Sequence, residues 1–283
     1  MSDLWLSVAA AFDAPEHRPF VIDGGEPGAV LVHGFLGTPK EWRPLAGYLE
    51  RRGWTLVAPL LPGFGVGLPA LPAVTLDDWM RALREAYARI AHLQQRVLVG
   101  YSLGGALATI LASEVQATRL VLFAPFSRLP LPIWYRALLP LAQRFHSGLR
   151  PFARVDLEHP EIQQALAGWN PALDLSDPVV RAELRALRFP WRLLRELDRT
   201  AAAMRRSARL VSCPVAIVHG LDDRTVPIGD SRRLRRLFHR VDRFVEIPSD
   251  HQLLSPDHPG FAKVLALVDS LLVTMQRTGG DRP

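Results

Sequence analysis

The sequence predicts an α/β fold, in which a mostly parallel sheet of about seven strands is covered by helices on both faces. Short apolar runs alternate along the chain with segments of helical periodicity, which is typical of such sheets. Most runs are continuously apolar, as at residues 97–99 and 120–123, and strands buried on both faces have this pattern. The composition agrees, since 283 residues with 48% hydrophobic and 22% charged positions can bury a sizeable core.

Six apolar runs are the predicted strands, and a short leading strand at residues 20–22 is the seventh. The six lie at residues 29–33, 54–60, 96–101, 119–124, 214–219 and 243–247. Between them, Thr75 begins a helix with Asp78 three positions later, as in a capping box, and apolar side chains then recur on one face. The other helices that cover the sheet are predicted at residues 40–52, 103–113, 230–240 and 258–275.

The alternation of strands and helices stops after Pro125 and resumes at Pro214. Repeated prolines limit this stretch to short helices, because proline removes a backbone donor and clashes inside a helix. We therefore expect a helical cap at residues 126–209, inserted after the sixth core strand, with residues 1–125 and 210–283 as the core. Six aromatic residues either line a pocket in this cap or pack on the core: Trp134, Tyr135, Phe145, Trp169, Phe189 and Trp191.

The single cysteine, Cys213, excludes an intramolecular disulfide and a cysteine-based zinc cluster, so the fold does not require an oxidising compartment. A buried structural thiol is its expected role, because it stands before Pro214 at a predicted strand start.

The apolar residues 4–12 lack a preceding basic segment and are too short to span a bilayer. A surface helix and a cytoplasmic protein are therefore predicted.

The net charge of +6 is concentrated in one region. Residues 127–209 hold 14 arginines and 8 acidic residues, whereas basic and acidic residues balance in the rest of the chain. This charge could favour acidic substrates or an anionic membrane surface, but surface arginines in ion pairs are the preferred interpretation. The arginine-rich segment 232–236 carries Leu234 on an amphipathic face, so its arginines are expected to face solvent and no nucleic acid is expected as a partner.

Ser102 is the predicted nucleophile, because residues 100–104 match G-x-S-x-G directly after a predicted strand and directly before a predicted helix. A nucleophilic serine on such a strained turn is flanked by glycines, which permit close approach of the backbone and leave the hydroxyl exposed. An ordinary turn serine is the alternative. The flanking strand and helix favour the nucleophile.

A serine nucleophile needs a general base, and the base needs a carboxylate that orients it. Asp223 follows the predicted strand at residues 214–219, and His251 follows the one at residues 243–247. We therefore predict Ser102, Asp223 and His251 as a catalytic triad. For His251 the alternative is a loop histidine with an ordinary structural partner.

Two backbone N–H donors must stabilise the oxyanion of a tetrahedral intermediate. Leu103, directly after the serine, is predicted to supply one. Phe35, in the loop of residues 33–37, is predicted to supply the other, although the glycines of this loop also suit an ordinary tight turn.

The sequence has no P-loop and no H-E-x-x-H, and its nine histidines lack the spacing of metal ligands, so neither a metal nor a cofactor is predicted.

With these motifs in this order, the chain resembles the α/β-hydrolase superfamily, and within it the small bacterial carboxylesterases and monoacylglycerol lipases. The resemblance covers nearly the whole chain, and only the cap matches weakly. It rests on HGFLGTP at 33–39, LVAPLLPGFG at 56–65, DDW at 77–79, GYSLGG at 100–105, HGLDDRTVP at 219–227 and SDH at 249–251. Tyr101 departs from the leucine or histidine often found before the nucleophile in this family.

The resemblance implies an α/β-hydrolase fold with a helical lid, and a cofactor-free serine esterase in which Asp223 rather than Asp222 is the acid. The expected partner is a small-molecule ester of short to medium acyl chain, with monoacylglycerols included. Thioesterases, acyltransferases and carbon–carbon bond hydrolases use the same triad, and a receptor-like homologue would keep the pocket without turnover. Stable membrane insertion is not expected, while transient contact with a lipid surface and the oligomeric state stay open.

Overall fold

The computed structural model describes residues 9–129, 148–160, 162–163, 166, 175–258 and 260–279. One sheet contains seven strands, which are β1 (Phe20–Ile22), β2 (Gly25–Val32), β3 (Trp54–Ala58), β4 (Arg96–Tyr101), β5 (Arg119–Phe123), β6 (Val215–Gly220) and β7 (Val241–Ile247). Their order is β1-β3-β2-β4-β5-β6-β7, with β1 antiparallel to β3 and all other pairs parallel. The predicted sheet is confirmed.

The described α-helices are α1 (Arg43–Glu50), α2 (Leu76–Ala88), α3 (Leu103–Ala112), α4 (Pro178–Ala186), α5 (Trp191–Ser207), α6 (Ile228–Leu234) and α7 (Phe261–Gly279). Short 3-10 helices lie at Ala11–Asp13, Pro15–His17, Pro39–Trp42 and Gly65–Ala73. Thr75 and Asp78 form the predicted capping box at the start of α2. Among these helices, none combines the length and the apolar character that crossing a membrane requires.

Each face of the sheet has its own part of the hydrophobic core, because successive side chains of a strand point to opposite faces. Val30 and Val32 belong to one part, whereas Ala29 and Leu31 belong to the other. All four side chains are fully buried, as expected for strands covered on both faces. Cys213 is also buried, as predicted, and burial raises the pKa of its thiol to about 11.

The cap prediction has one error of position. Only five described strands, β1 to β5, precede residue 126, so the segment follows the fifth strand rather than the sixth. Its described part contains α4, α5 and an antiparallel bridge between Leu149 and Phe189. Helix α5 packs against α2 and α3, so this part of the predicted cap lies directly on the core. Four of the predicted cap aromatics lie outside the described residues: Trp134, Tyr135, Phe145 and Trp169.

The strand order reverses between β2 and β4, because the chain runs from β2 to β3 on one side and then returns to β4 on the other. In parallel sheets, the carboxyl ends of the strands at such a point form a crevice in which ligands bind. Val32 pairs with Gly100 in these two strands. The loop after β2 and the turn after β4 therefore begin side by side.

Gly104, in the first turn of α3, lies where the backbone after β2 leaves no room for a side chain. A Cβ at Gly104 would lie 2.1 Å from the carbonyl oxygen of Val32 and 2.4 Å from that of His33. Gly104→Ala should therefore lower the free energy of unfolding by about 2 kcal/mol or more, as measured by urea denaturation. Gly67→Ala is the matched control, because a Cβ there meets nothing within 4 Å. Equal losses in the two variants would contradict this account of the packing.

Candidate active site

Ser102 occupies the sharp turn between β4 and α3. Its φ of 51° and ψ of −117° lie in a region that is strained for a residue with a Cβ. The N–H of Ser102 donates to the carbonyl oxygen of Phe123 at 2.9 Å, and its own carbonyl oxygen accepts from the N–H of Phe126 and of Gly105, each at 3.0 Å. Bonds from β5, from the segment after it and from α3 therefore hold the strained turn.

Asp223 and His251 meet where β6 and β7 end. His251 Nδ1 lies 2.7 Å from Asp223 Oδ2, and Asp223 Oδ1 accepts from the N–H groups of Thr225 at 2.9 Å and Val226 at 2.8 Å. Since Nδ1 faces the carboxylate, Nε2 is the ring nitrogen left for another partner. Asp222 is exposed, and the structure gives it no contact with His251. Of the two adjacent carboxylates, only Asp223 is bonded to the imidazole.

His219 is a second histidine that contacts the Asp223 carboxylate, at the same oxygen as His251, and the sequence patterns did not predict it. It is fully buried, with Nε2 2.8 Å from the carbonyl oxygen of Val226 and 3.2 Å from Asp223 Oδ2. Burial alone would raise the pKa of Asp223, but hydrogen bonds from His219 and His251 outweigh it and hold the pKa well below its usual range. Asp223 is therefore ionised beside the imidazole. The place of His219 in the HGLDDRTVP motif was the available signal.

Tyr101 joins the turn of Ser102 to His251. Its hydroxyl donates to the carbonyl oxygen of His251 at 2.7 Å, and the two rings lie 5.1 Å apart between centroids. The Ser102 hydroxyl itself makes no hydrogen bond with His251 within the described part of the chain, and such bonds are often long before substrate binds. In the sequence Tyr101 was only a departure from the family pattern, and its position gave no signal of this contact.

The loop of residues 33–37 is held by His33, which is fully buried. Its Nε2 accepts from the N–H of Leu61 at 3.0 Å, so Nδ1 carries the proton and donates to the carbonyl oxygen of Gly34 at 2.9 Å. Burial lowers the pKa of His33 to about 4, so the ring is neutral at pH 7. The carbonyl of Gly34 and the N–H of Phe35 belong to one planar peptide group, so this bond also fixes the direction of that N–H.

The two predicted oxyanion donors lie on adjacent elements. Leu103 is the first residue of α3, and its N–H has no partner one turn earlier in the helix. The N–H of Phe35 makes no hydrogen bond within the described ranges, and the loop that carries it follows β2, the strand next to β4. Both amides are therefore available to an acceptor. Whether they act on an oxyanion stays a prediction.

Glu41 is a half-buried residue whose carboxyl lies behind this loop, a position that no sequence pattern indicated. Its Oε2 accepts from the N–H of Gly34 at 2.9 Å. Burial raises the pKa of Glu41 to about 7, although the hydrogen bond from Gly34 acts in the opposite direction. The backbone of Gly34 is thus held by Glu41 at its N–H and by His33 at its carbonyl oxygen.

A cavity of about 530 Å³ adjoins the loop, and Phe35, Leu36, Tyr101 and Leu254 are among the residues that line it. This volume is in the range of small-molecule sites. Phe189, one of the predicted cap aromatics, is buried and packs edge-to-face on Phe35 with 5.8 Å between ring centroids. The described part of the predicted cap segment therefore contacts the loop directly. Within the described residues, no cluster of three or more His, Cys, Asp or Glu side chains could hold a metal ion.

Comparison with known families decides the relationship. The sequence profile of the alpha/beta hydrolase family matches residues 29–263, which is most of the chain. The chain belongs to the alpha/beta hydrolase family. The resemblance drawn from the motifs is therefore confirmed.

Three proteins illustrate the similarity. A thermostable monoacylglycerol lipase from Bacillus sp. (strain H-257) is 28% identical over 224 residues, which are 76% of this chain and 77% of that protein. A carboxylesterase from Bacillus subtilis (strain 168) is 29% identical over 131 residues, 45% of this chain and 53% of that protein. The crystal structure of a monoacylglycerol lipase from Paleococcus ferrophilus has the same fold, with a TM-score of 0.64 at 19% identity over 90% of this chain and 99% of that one.

The raised pKa of Glu41 predicts a pH-dependent stability. A pKa of about 7 in the folded protein exceeds the ordinary value of 4.5, so folding takes up a proton between these values and the unfolding free energy falls as pH rises through this range. Glu41→Gln keeps an acceptor for Gly34 but cannot titrate. From pH 5 to pH 8, the variant should gain about 1 to 3 kcal/mol relative to the wild type in urea denaturation.

Glu85→Gln on the exposed side of α2 is the matched control for this measurement. Its difference from the wild type should stay constant between the two pH values. A constant difference for Glu41→Gln as well would show that the Glu41 carboxyl does not titrate in this range.

Proposed function

We propose that the chain is a serine hydrolase that cleaves carboxylic esters of short to medium acyl chains, monoacylglycerols included, through an acyl-enzyme on Ser102. The observation that carries this proposal is the 2.7 Å bond between His251 Nδ1 and the buried Asp223. This pair follows β6 and β7, at the same edge of the sheet as the turn of Ser102 after β4. The relatives named as a monoacylglycerol lipase and a carboxylesterase support an ester as the substrate.

In the first half of the reaction, Ser102 Oγ attacks the ester carbonyl carbon while His251 Nε2 takes the hydroxyl proton. Asp223 keeps the other ring nitrogen protonated and stabilises the imidazolium that forms. The backbone N–H groups of Phe35 and Leu103 donate to the oxyanion, in a geometry set before substrate arrives. His251 then gives its proton to the leaving alcohol, and the ester bond breaks.

In the second half, water attacks the acyl-enzyme while His251 again acts as the base. The same two amides stabilise the second oxyanion, and the carboxylic acid leaves as Ser102 recovers its proton. Every step uses residues of this chain and water alone. The cavity of about 530 Å³ is lined by Phe35 and Tyr101 but not by Ser102, Asp223 or His251, so it adjoins the proposed oxyanion loop and does not enclose the nucleophile.

The proposal is tested by kcat/KM for p-nitrophenyl esters from acetate to palmitate. Wild-type turnover should peak at a short or medium chain, and Ser102→Ala should lower it by about a thousandfold or more, because the nucleophile is lost. Acyl-thioesters are assayed in parallel. Thioester turnover without ester turnover would show that the substrate is a thioester rather than an ester. No turnover of either would contradict a hydrolytic role for Ser102.

Tyr101→Phe tests whether the bond to His251 helps to position the base. Loss of one hydrogen bond should lower kcat by about tenfold with little change in KM, because the backbone that carries the His251 ring is held less firmly. Tyr87→Phe is the matched control, since the Tyr87 hydroxyl also donates to a backbone carbonyl, that of Gln116 at 2.9 Å, away from the site. An equal fall in kcat in both variants would assign Tyr101 a purely structural role.

A further inference from the structure

A second cavity, of about 580 Å³, lies between the segment after β5, the end of α5 and helix α6. Five arginines and one acidic residue line it, and we call it the arginine cavity: Arg128, Arg205, Arg206, Arg209, Arg233 and Asp230. Of the described residues that line it, none is Ser102, Asp223 or His251. The arginine cavity is therefore distinct from the candidate active site.

The arginines reach this cavity from three parts of the fold. Arg128 follows β5 and Arg233 belongs to α6, whereas the other three lie at or just after the end of α5. Cations at the carboxyl end of a helix are favoured by its dipole, and this accounts for the arginines of α5. It does not account for the presence of Arg128 and Arg233 at the same place. Arginines from three separate parts of the chain therefore meet at this cavity.

Asp230 neutralises only part of this charge. Its Oδ1 lies 2.8 Å from Arg233 Nη1 and 3.9 Å from Arg128 Nε. Arg206 and Arg209 are exposed, and neither guanidinium group makes a hydrogen bond or an ion pair within the part of the chain that the structure describes. Ion pairing, the interpretation preferred from sequence for residues 127–209, therefore fits Arg128, and among the described residues the guanidinium N–H donors of Arg206 and Arg209 have no partner.

Apolar side chains lie next to these arginines. Leu210, which follows Arg209, is 68% exposed, and Leu234 and Leu237 line the same cavity. Guanidinium groups that have no partner among the described residues, beside exposed apolar surface, match a ligand that has an anionic end and an apolar part.

We propose that the arginine cavity binds the phosphate or diphosphate group of a small molecule that also carries an apolar portion. Guanidinium groups present N–H donors in a planar fork that matches phosphate oxygens, and a phosphate monoester has enough charge for both Arg206 and Arg209. The volume suits one small molecule held in a concave site. This binding does not depend on ester hydrolysis at Ser102.

Isothermal titration of the full chain with hexyl phosphate and with inorganic phosphate, at physiological salt, tests the proposal. Saturable binding of one molecule per chain is expected, with hexyl phosphate the tighter of the two because of its apolar part. Arg206→Gln/Arg209→Gln should weaken this binding by about tenfold or more. The matched control is Arg192→Gln/Arg195→Gln, an exposed pair on the same helix with the same loss of charge, which should change binding by less than about twofold.

Thermal denaturation of each variant shows that it folds, and the single variant Arg209→Gln, beyond the end of α5, gives the same direction of effect if the double variant is unstable. An equal loss of affinity in the control pair would overturn the proposal, because binding would then follow overall charge alone. Absence of saturable binding would also overturn it. Binding to phosphatidic acid vesicles without binding to hexyl phosphate would also overturn the proposal, because the arginines would then bind a membrane surface rather than a small molecule.

Discussion

The close packing of backbone where β4, α3 and β2 meet is the constraint on which the candidate site depends. A Cβ at Gly100 would lie 2.4 Å from the carbonyl oxygen of Gly104, and one at Gly104 would overlap the backbone after β2. Because both positions are glycine, the first turn of α3 lies directly against the sheet. Ser102 is thereby forced into its strained conformation beside the loop of residues 33–37, and any side chain in this contact would move Ser102 away from that loop.

Around this turn, the titratable groups of His33, Glu41 and Asp223 have different protonation states because their surroundings differ. Burial holds His33 neutral, whereas at Asp223 the hydrogen bonds from two histidines outweigh burial and keep the carboxylate charged. Glu41 lies between these cases, with a pKa of about 7. His33 and Glu41 hold the backbone of Gly34, and Asp223 holds the imidazole of His251. The polar groups are thus oriented before any substrate binds, which is the arrangement that electrostatic catalysis requires.

The sequence predicted those parts of the molecule that depend on local pattern. Apolar runs predicted the strands. Ser102, Asp223 and His251 were predicted from their positions shortly after β4, β6 and β7. Contacts between distant elements could not be predicted in this way. The bond from Tyr101 joins residues 150 positions apart. In the sequence, Glu41 is indistinguishable from an ordinary surface residue of a helix. The predicted helix at 40–52 is divided into a 3-10 turn and α1, and the predicted helix at 230–240 ends at Leu234. Such boundaries depend on tertiary packing that periodicity does not record.

The central claim is that the pair of Asp223 and His251 activates Ser102. The most direct test is the rate and site of labelling by a fluorophosphonate, followed by intact mass and peptide mapping, in the wild type, Asp223→Asn and Asp222→Asn. The account predicts one label per chain on Ser102 in the wild type and in Asp222→Asn, and labelling slower by about a hundredfold or more in Asp223→Asn. Fast labelling of Asp223→Asn, or a label on another residue, would contradict it.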